Sequence, residues 1–231
     1  MPELQAVLQG LVDSRSPVYT VETPVVYNTA LDEIGPDSEI KMILVGDNPG
    51  RREQSAENRR YLIGPSGKIA EKFFRDNPSL GIDFRKNVII LNKTPVHTPR
   101  TADLRRLGDS LKNDCHLSLR FMARLLFEFH EALTSETCNP PPVWITGYCE
   151  LGKNGIFESY TEELKAVYGK SNLKKSVFLF RHFSMNQFTA DLKRQATVLK
   201  RNTAADNTPP GETLAETLRR IGTAYRKRFL W

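Results

Sequence analysis

Lys41-Met-Ile-Leu-Val45 runs directly into Gly46-Asp47-Asn48-Pro49-Gly50, and this passage from an apolar stretch to a tight polar turn decides the fold. The run is continuously apolar rather than alternating, the pattern of a strand buried on both faces. Three others match it: Asn87-Val-Ile-Ile-Leu91, Pro142-Val-Trp-Ile-Thr146 and Ser176-Val-Phe-Leu-Phe180. Helical patterns lie between them. Residues 66–75 carry Ile69, Ala70, Phe73 and Phe74 on one face, and 117–133 repeat Phe121, Met122, Leu125, Leu126, Phe129 and Leu133 at three-to-four spacing. Flanking helices are predicted over 3–12, 191–199 and 212–229, the last set apart by the 202–211 stretch with Pro209-Pro210. Strands alternating with such helices predict an α/β fold: a single-domain, three-layer α/β/α architecture around a central, mostly parallel four-stranded sheet. The α/β domain is expected over 1–200, with 201–231 a basic C-terminal helical extension packed on or beside it.

The chain has 231 residues, which suits one sizeable core at about 150 residues per domain. A hydrophobic fraction of 39% excludes a disordered or fibrous chain. No apolar run approaches the roughly 18 to 20 residues of a membrane span, and Met1 is followed by Pro-Glu-Leu-Gln rather than by a basic and then apolar leader. A soluble protein with no membrane partner is therefore expected. Cys115, Cys138 and Cys149 are odd in number and lack metal-ligand spacing, so neither a disulfide framework nor a zinc site is predicted, and a cytoplasmic location is the natural one.

The distribution of charge is more informative than its sum of +6. Residues 193–231 hold nine Lys and Arg against three Asp and Glu, leaving 24 against 24 elsewhere. Clustered cations gain affinity for polyanions by releasing counterions from a phosphate backbone. A solvated amphipathic helix accounts for the same charges. Both readings stay open on this feature alone.

In open parallel sheets ligands bind outside the carboxyl ends of the strands. Those ends are polar here: Gly46-Asp47-Asn48-Pro49-Gly50, Asn92-Lys93-Thr94-Pro95, Gly147-Tyr148, and Arg181-His182-Phe183-Ser184. One rim would gather Asp47, Asn48, Asn92, His182 and Ser184 around a common crevice. Each has an ordinary explanation, as turn residue, cap or structural histidine. Together they suit chemistry: a carboxamide such as Asn92 offers a donor and an acceptor side by side to a base edge, and His182 can donate to an oxygen gathering negative charge. The Gly64-Pro-Ser-Gly67-Lys68 segment imitates a phosphate loop but has Leu62 and Ile69 where that loop needs Gly and Ser or Thr. It reads instead as a turn opening a helix at Ser66, which either holds a phosphate or merely caps the helix. The 93–116 segment, with Arg100, Arg105, Arg106 and Lys112, reads as a long loop lying on a nucleic acid or simply on the surface.

Over residues 40–195 the ordered set resembles the uracil-DNA glycosylase superfamily. Gly46-Asp47-Asn48-Pro49-Gly50 is similar to its first active-site motif, which reads Gly-x-Asn-Pro-Gly in the mismatch-specific and single-strand-selective branches. Val88-Ile-Ile-Leu-Asn92 resembles the strand that ends in the uracil-reading Asn. His182-Phe-Ser184-Met-Asn186 resembles the His-Pro-Ser motif, and Tyr61-Leu-Ile-Gly64 with Ser66-Gly67 resembles the Pro-Phe-Val-Gly segment of the iron-sulfur branch.

The resemblance implies a hydrolase of base excision repair that flips a base out of DNA and breaks its N-glycosidic bond through an oxocarbenium-like state. Asn48 would position the attacking water, or Asp47 would stabilise the cationic sugar. His182 would stabilise charge on the leaving base. Asn92 would pair with the base edge, with Gly46, Tyr61 and Leu62 completing the base pocket. Ser66, Gly67, Lys68, Ser184 and Asn186 would hold flanking phosphates, and a loop beginning at Met185 would wedge into the DNA. The implied protein is a monomer with DNA as partner and neither metal nor organic cofactor. Three departures stand out. The stacking aromatic of the iron-sulfur branch falls at Leu62, the Pro of His-Pro-Ser is Phe183, and no cysteine precedes Cys115 to hold a cluster. The implied substrate is therefore uracil or another deaminated base. A catalytically silent nucleic-acid-binding module with the same fold is the alternative, and a small-molecule enzyme on the same sheet is a third.

Overall fold

Four apolar runs form the strands β1 (Met42–Gly46), β2 (Val88–Asn92), β3 (Val143–Thr146) and β4 (Val177–Phe180), and every residue in them is buried. In the computed structural model, which describes residues 1–137, 139–203 and 212–231, they make one sheet of order β2-β1-β3-β4 with all neighbours parallel. Cys138 and residues 204–211 of the stretch with Pro209-Pro210 lie outside the described residues, whereas Asn202 and Thr203, expected in that stretch, end a helix. No helix among the described residues is long and apolar enough to cross a membrane.

Parallel neighbours need helical crossovers. These are α2 (Pro65–Asp76), α3 (Asp109–Thr137) and α4 (Glu158–Tyr168), with α1 (Pro2–Asp13), α5 (Gln187–Thr203) and α6 (Leu214–Phe229) flanking them. The chain leaves β1 for β2 on one side and returns past it to β3 on the other. The carboxyl end of β1 is thus a topological switch point, where a crevice opens between diverging loops. Trp144, Phe178 and Phe180 project toward α2, α5 and α6, where Phe73, Phe74 and Phe188 close an aromatic layer. Right-handed crossovers put α3 and α4, which pack on each other, against the opposite face. The three-layer α/β/α single domain is therefore the observed architecture.

Three expectations change. Phe121, assigned to the buried stripe of its helix, is 61% exposed, because the face that meets α4 and the sheet is carried by Leu119, Met122, Ala123 and Leu126. The 93–116 segment is not one long loop. A short turn at Thr101–Arg106 leads into α3, which starts at Asp109 rather than near Leu117. Ser66 does not cap α2: Gly64 is the N-cap and Pro65 the first helical residue, the site where a missing N–H costs nothing. The C-terminal helix α6 packs against β4. Its Gly222 sits so close to β4 that a Cβ there would come within 2.6 Å of Phe178 and 2.8 Å of Phe180. Arg226 crosses to the carbonyls of Lys174 and Lys175, and Tyr225 donates to Asp191 of α5.

Candidate functional site

At the carboxyl ends of β1, β2 and β4 lies a crevice of about 420 Å³, whose walls include Asp47, Asn48, Leu62, Ser66, Asn92, His182 and Ser184. Residues up to 137 apart in sequence meet here because, Leu62 aside, each ends or follows a strand or opens a helix. Arg51, Arg52 and Arg100 add positive charge to the same wall.

The Gly46–Gly50 turn is held from four directions. Glu53, buried beside it, accepts the Gly50 amide at 2.5 Å. Burial pushes the Glu53 carboxyl up, and the amides of Gly50, Gly64, Leu62 and Ile63 pull the other way. The same carboxylate thus ties the turn to the segment that leads into α2. His97 donates from Nδ1 to the Pro49 carbonyl at 2.8 Å while its Nε2 accepts Tyr19 Oη at 2.9 Å. Asn48 is clamped through both ends of its carboxamide, donating to Thr98 Oγ1 and accepting from Thr101 Oγ1, each at 2.9 Å. Asp47 accepts Lys93 Nζ at 2.5 Å. That lysine is fully buried and also donates to the Thr146 carbonyl at 2.5 Å. Gly147, with φ of +78°, gives the carboxylate room: a Cβ there would stand 2.5 Å from Asp47 Oδ1.

Asn92 ends β2 beside Gly46, where a Cβ would collide with its Oδ1 at 2.5 Å. Only glycine lets the carboxamide lie flat over β1. Its Nδ2 is buried and has no partner. A buried donor left unpaired costs about 1 to 3 kcal/mol, and in a crevice wall such a donor is open to a ligand acceptor.

His182 accepts the Ser184 amide at Nδ1, 3.1 Å away, so the neutral ring carries its proton on Nε2. Burial pushes its titration below the ordinary histidine value; Asp47 opposes that shift and Lys93 adds to it. The crevice therefore combines a neutral imidazole donor, a carboxylate, two carboxamides and a fringe of arginines. That set can bind a planar polar group and stabilise charge of either sign on two sides of a breaking bond.

Several expected site residues lie elsewhere. Tyr61 is buried with its hydroxyl donating to the Val26 carbonyl at 2.6 Å, and it faces a separate cavity along the outer edge of β2. Its backbone amide is held by Asn28, which turns it away from the crevice. Gly67 is buried against the Leu62 carbonyl, and Lys68 is exposed on α2 outside the crevice. Asn186 is exposed beyond the rim, next to Met185, which is 83% exposed; both have positive φ, 57° and 50°. Arg100 lines the crevice, whereas Arg105 pairs with Glu150. Sequence reasoning missed Lys93 and Glu53 as working parts. A lysine directly after an apolar strand was the available signal for the first; nothing local marked the second.

No protein-family model matches the sequence, and no curated protein matches it. The chemistry of the crevice is the ground for a functional reading.

Proposed function

We propose that the chain is a monofunctional DNA glycosylase of the uracil-DNA glycosylase kind, hydrolysing the N-glycosidic bond of uracil or another deaminated base flipped out of DNA. The observation that carries the proposal is the orphaned, buried Nδ2 of Asn92 in a crevice shared with Asp47, Asn48 and His182. A carbonyl oxygen on a base edge satisfies that donor, while the carboxamide oxygen accepts a ring N–H. Asp47 stabilises cationic charge developing on the sugar. Asn48, clamped by Thr98 and Thr101, orients the attacking water. His182 donates from Nε2 to the departing base, a contribution of about 3 kcal/mol by analogy with oxyanion donors. Ser66 and Ser184 at the mouth, with Arg51, Arg52 and Arg100, engage the backbone phosphates. The proposed protein acts as a cytoplasmic monomer with DNA as its partner.

Labelled single- and double-stranded oligonucleotides carrying one uracil, hypoxanthine or xanthine, incubated with protein and then cleaved by alkali, test this directly. Wild type should release a base without added metal; Asn48→Ala and His182→Ala should lose at least about a hundredfold in rate while keeping most of their DNA affinity. Intact oligonucleotides of every kind would sink the proposal. The alternative, a silent nucleic-acid-binding module, is favoured by Leu62, an aliphatic wall where a stacking ring would serve a flipped base better. It predicts tight, salt-dependent binding with no cleavage.

A further inference from the structure

Lys93 is the most unusual side chain in the described structure. It follows β2 directly, is fully buried, and turns its ammonium back beneath the sheet end. Nζ lies 2.5 Å from Asp47 Oδ1, 2.5 Å from the Thr146 carbonyl and 3.4 Å from the Gly46 carbonyl, with the Phe157 ring centroid at 4.8 Å. The partners come from the ends of β1 and β3 and from the lead-in to α4. The strand-end carbonyls of two neighbouring strands and one carboxylate therefore converge on a single cation.

A buried charge with no role is costly, since the desolvation of the ion is repaid only by a well-placed partner and further hydrogen bonds. A hydrocarbon side chain would fill the same volume. The carboxylate that Lys93 holds is not buried with it but lines the crevice wall beside His182. We propose that Lys93 is a positioning residue for the reaction of this crevice: a buried cation that fixes the orientation of the Asp47 carboxylate and sets the electrostatic balance at His182. This inference rests on the glycosylase reading for its catalytic consequence, though not for its electrostatic one.

The physical logic has two parts. Asp47 must face a sugar that becomes cationic, so its carboxylate has to be held in one rotamer; an ion pair from behind does this while Asp47 still lines the crevice. The departing base becomes anionic, and an isolated carboxylate nearby would repel it. Lys93 offsets that repulsion and opposes protonation of the imidazole, so that His182 stays a neutral Nε2–H donor. The charged and titratable groups facing this centre are Asp47 and His182 from the crevice and Cys149 from the turn after β3. Lys93 does not line the crevice and so acts through Asp47 and His182 rather than on the substrate.

The test is an NMR titration of the His182 imidazole, assigned among the four histidines with His182→Gln, in wild type and Lys93→Met, run beside single-turnover base release. Removing the cation leaves the pull of Asp47 unopposed, so the His182 midpoint should rise by about one pH unit or more. The rate at neutral pH should fall roughly tenfold to a hundredfold, and the acid limb of the rate profile should move upward with the His182 midpoint. If Lys93→Met does not fold, Lys93→Gln, which keeps a donor for the Thr146 carbonyl without the charge, takes its place; the midpoint should again rise. An unchanged His182 titration in either comparison overturns the inference. Failure of wild type to release any base while the titration still shifts would overturn the glycosylase reading and leave the electrostatic role of Lys93 standing.

Discussion

At Gly67 a single hydrogen decides whether the crevice wall forms. The first turn of α2 lies on the Leu62 carbonyl so closely that a Cβ at residue 67 would stand 1.5 Å from that oxygen. Leu62 itself has φ of +52°, and its carbonyl also accepts Arg85 Nη2 at 2.8 Å. Gly67→Ala should therefore displace the segment that carries Leu62 and Ser66, costing roughly 3 kcal/mol of stability by urea denaturation and weakening ligand binding as well. Asn92 predicts the opposite pairing of effects. Its amide nitrogen has no partner in the unliganded fold, so Asn92→Ala removes an unpaired donor along with some packing. We expect stability within about 1 kcal/mol of wild type in thermal melts, together with loss of base release. A large destabilisation would mean that the carboxamide is a structural group rather than a binding one. Tyr61 belongs at this scale too: adjacency to Leu62 suggested a base-pocket residue, but two neighbours along a chain point in different directions when the backbone turns left-handed between them.

Elements explain why α6 belongs to the body rather than hanging from it. Its start is a reciprocal capping box: Thr213 Oγ1 accepts the Glu216 amide at 3.3 Å, and Glu216 accepts the Thr213 amide at 2.8 Å. The buried face is Leu218, Ile221, Gly222 and Tyr225, while Arg219, Lys227 and Arg228 remain on the outside. Thr213→Ala should cost about 1 kcal/mol. Gly222→Val should cost more, because its branched side chain meets Phe178 and Phe180 and cannot lift the helix without opening the edge of the sheet. Both are read by chemical denaturation, and the second should also raise the exposure of the aromatic layer to a fluorescent apolar dye. The charge excess seen in the sequence is therefore partly the outer face of a structural helix, and the half-buried Arg226 is engaged by the carbonyls of Lys174, Lys175 and Val177 at the entry to β4.

Across the whole molecule, stability should depend on pH in a direction set by three histidines, His97 and His130 fully buried and His182 half-buried. His97, His130 and His182 all titrate below the ordinary value of 6.5 because burial disfavours their charged forms, His130 down to about 4. The unfolded chain takes up protons near 6.5 that the folded chain refuses, so their contribution is full above that pH and is lost on descent toward about 4. Glu53 acts with the other sign: its carboxyl is raised by burial, and its contribution is lost as pH rises through that raised value. Urea titrations between neutral pH and about pH 4 should show a steady fall in stability, and His130→Gln should flatten it. A stability constant over that range would contradict the burial of these rings. The same acid sensitivity links fold and site, since protonating His182 removes the neutral donor on which the proposed chemistry depends.

The sequence by itself determined the four strands, two of the three helices between them and the polarity of the strand ends, because hydrophobic periodicity is local and buried parallel strands have no polar face to hide it; α4, between β3 and β4, was not among them. From strand ends and the rule for parallel sheets, five residues could be assigned to one rim, and Asp47, Asn48, Asn92, His182 and Ser184 do line one crevice. What only the tertiary structure decided was which groups stand behind them. Lys93 meets Asp47 across 46 residues of chain and Thr146 across 53; His97 braces Pro49 and Thr98 clamps Asn48 from a neighbouring strand's loop. Such partnerships arise from strand order and register, which no local pattern encodes. They set the charge state and orientation of groups whose identity alone was legible.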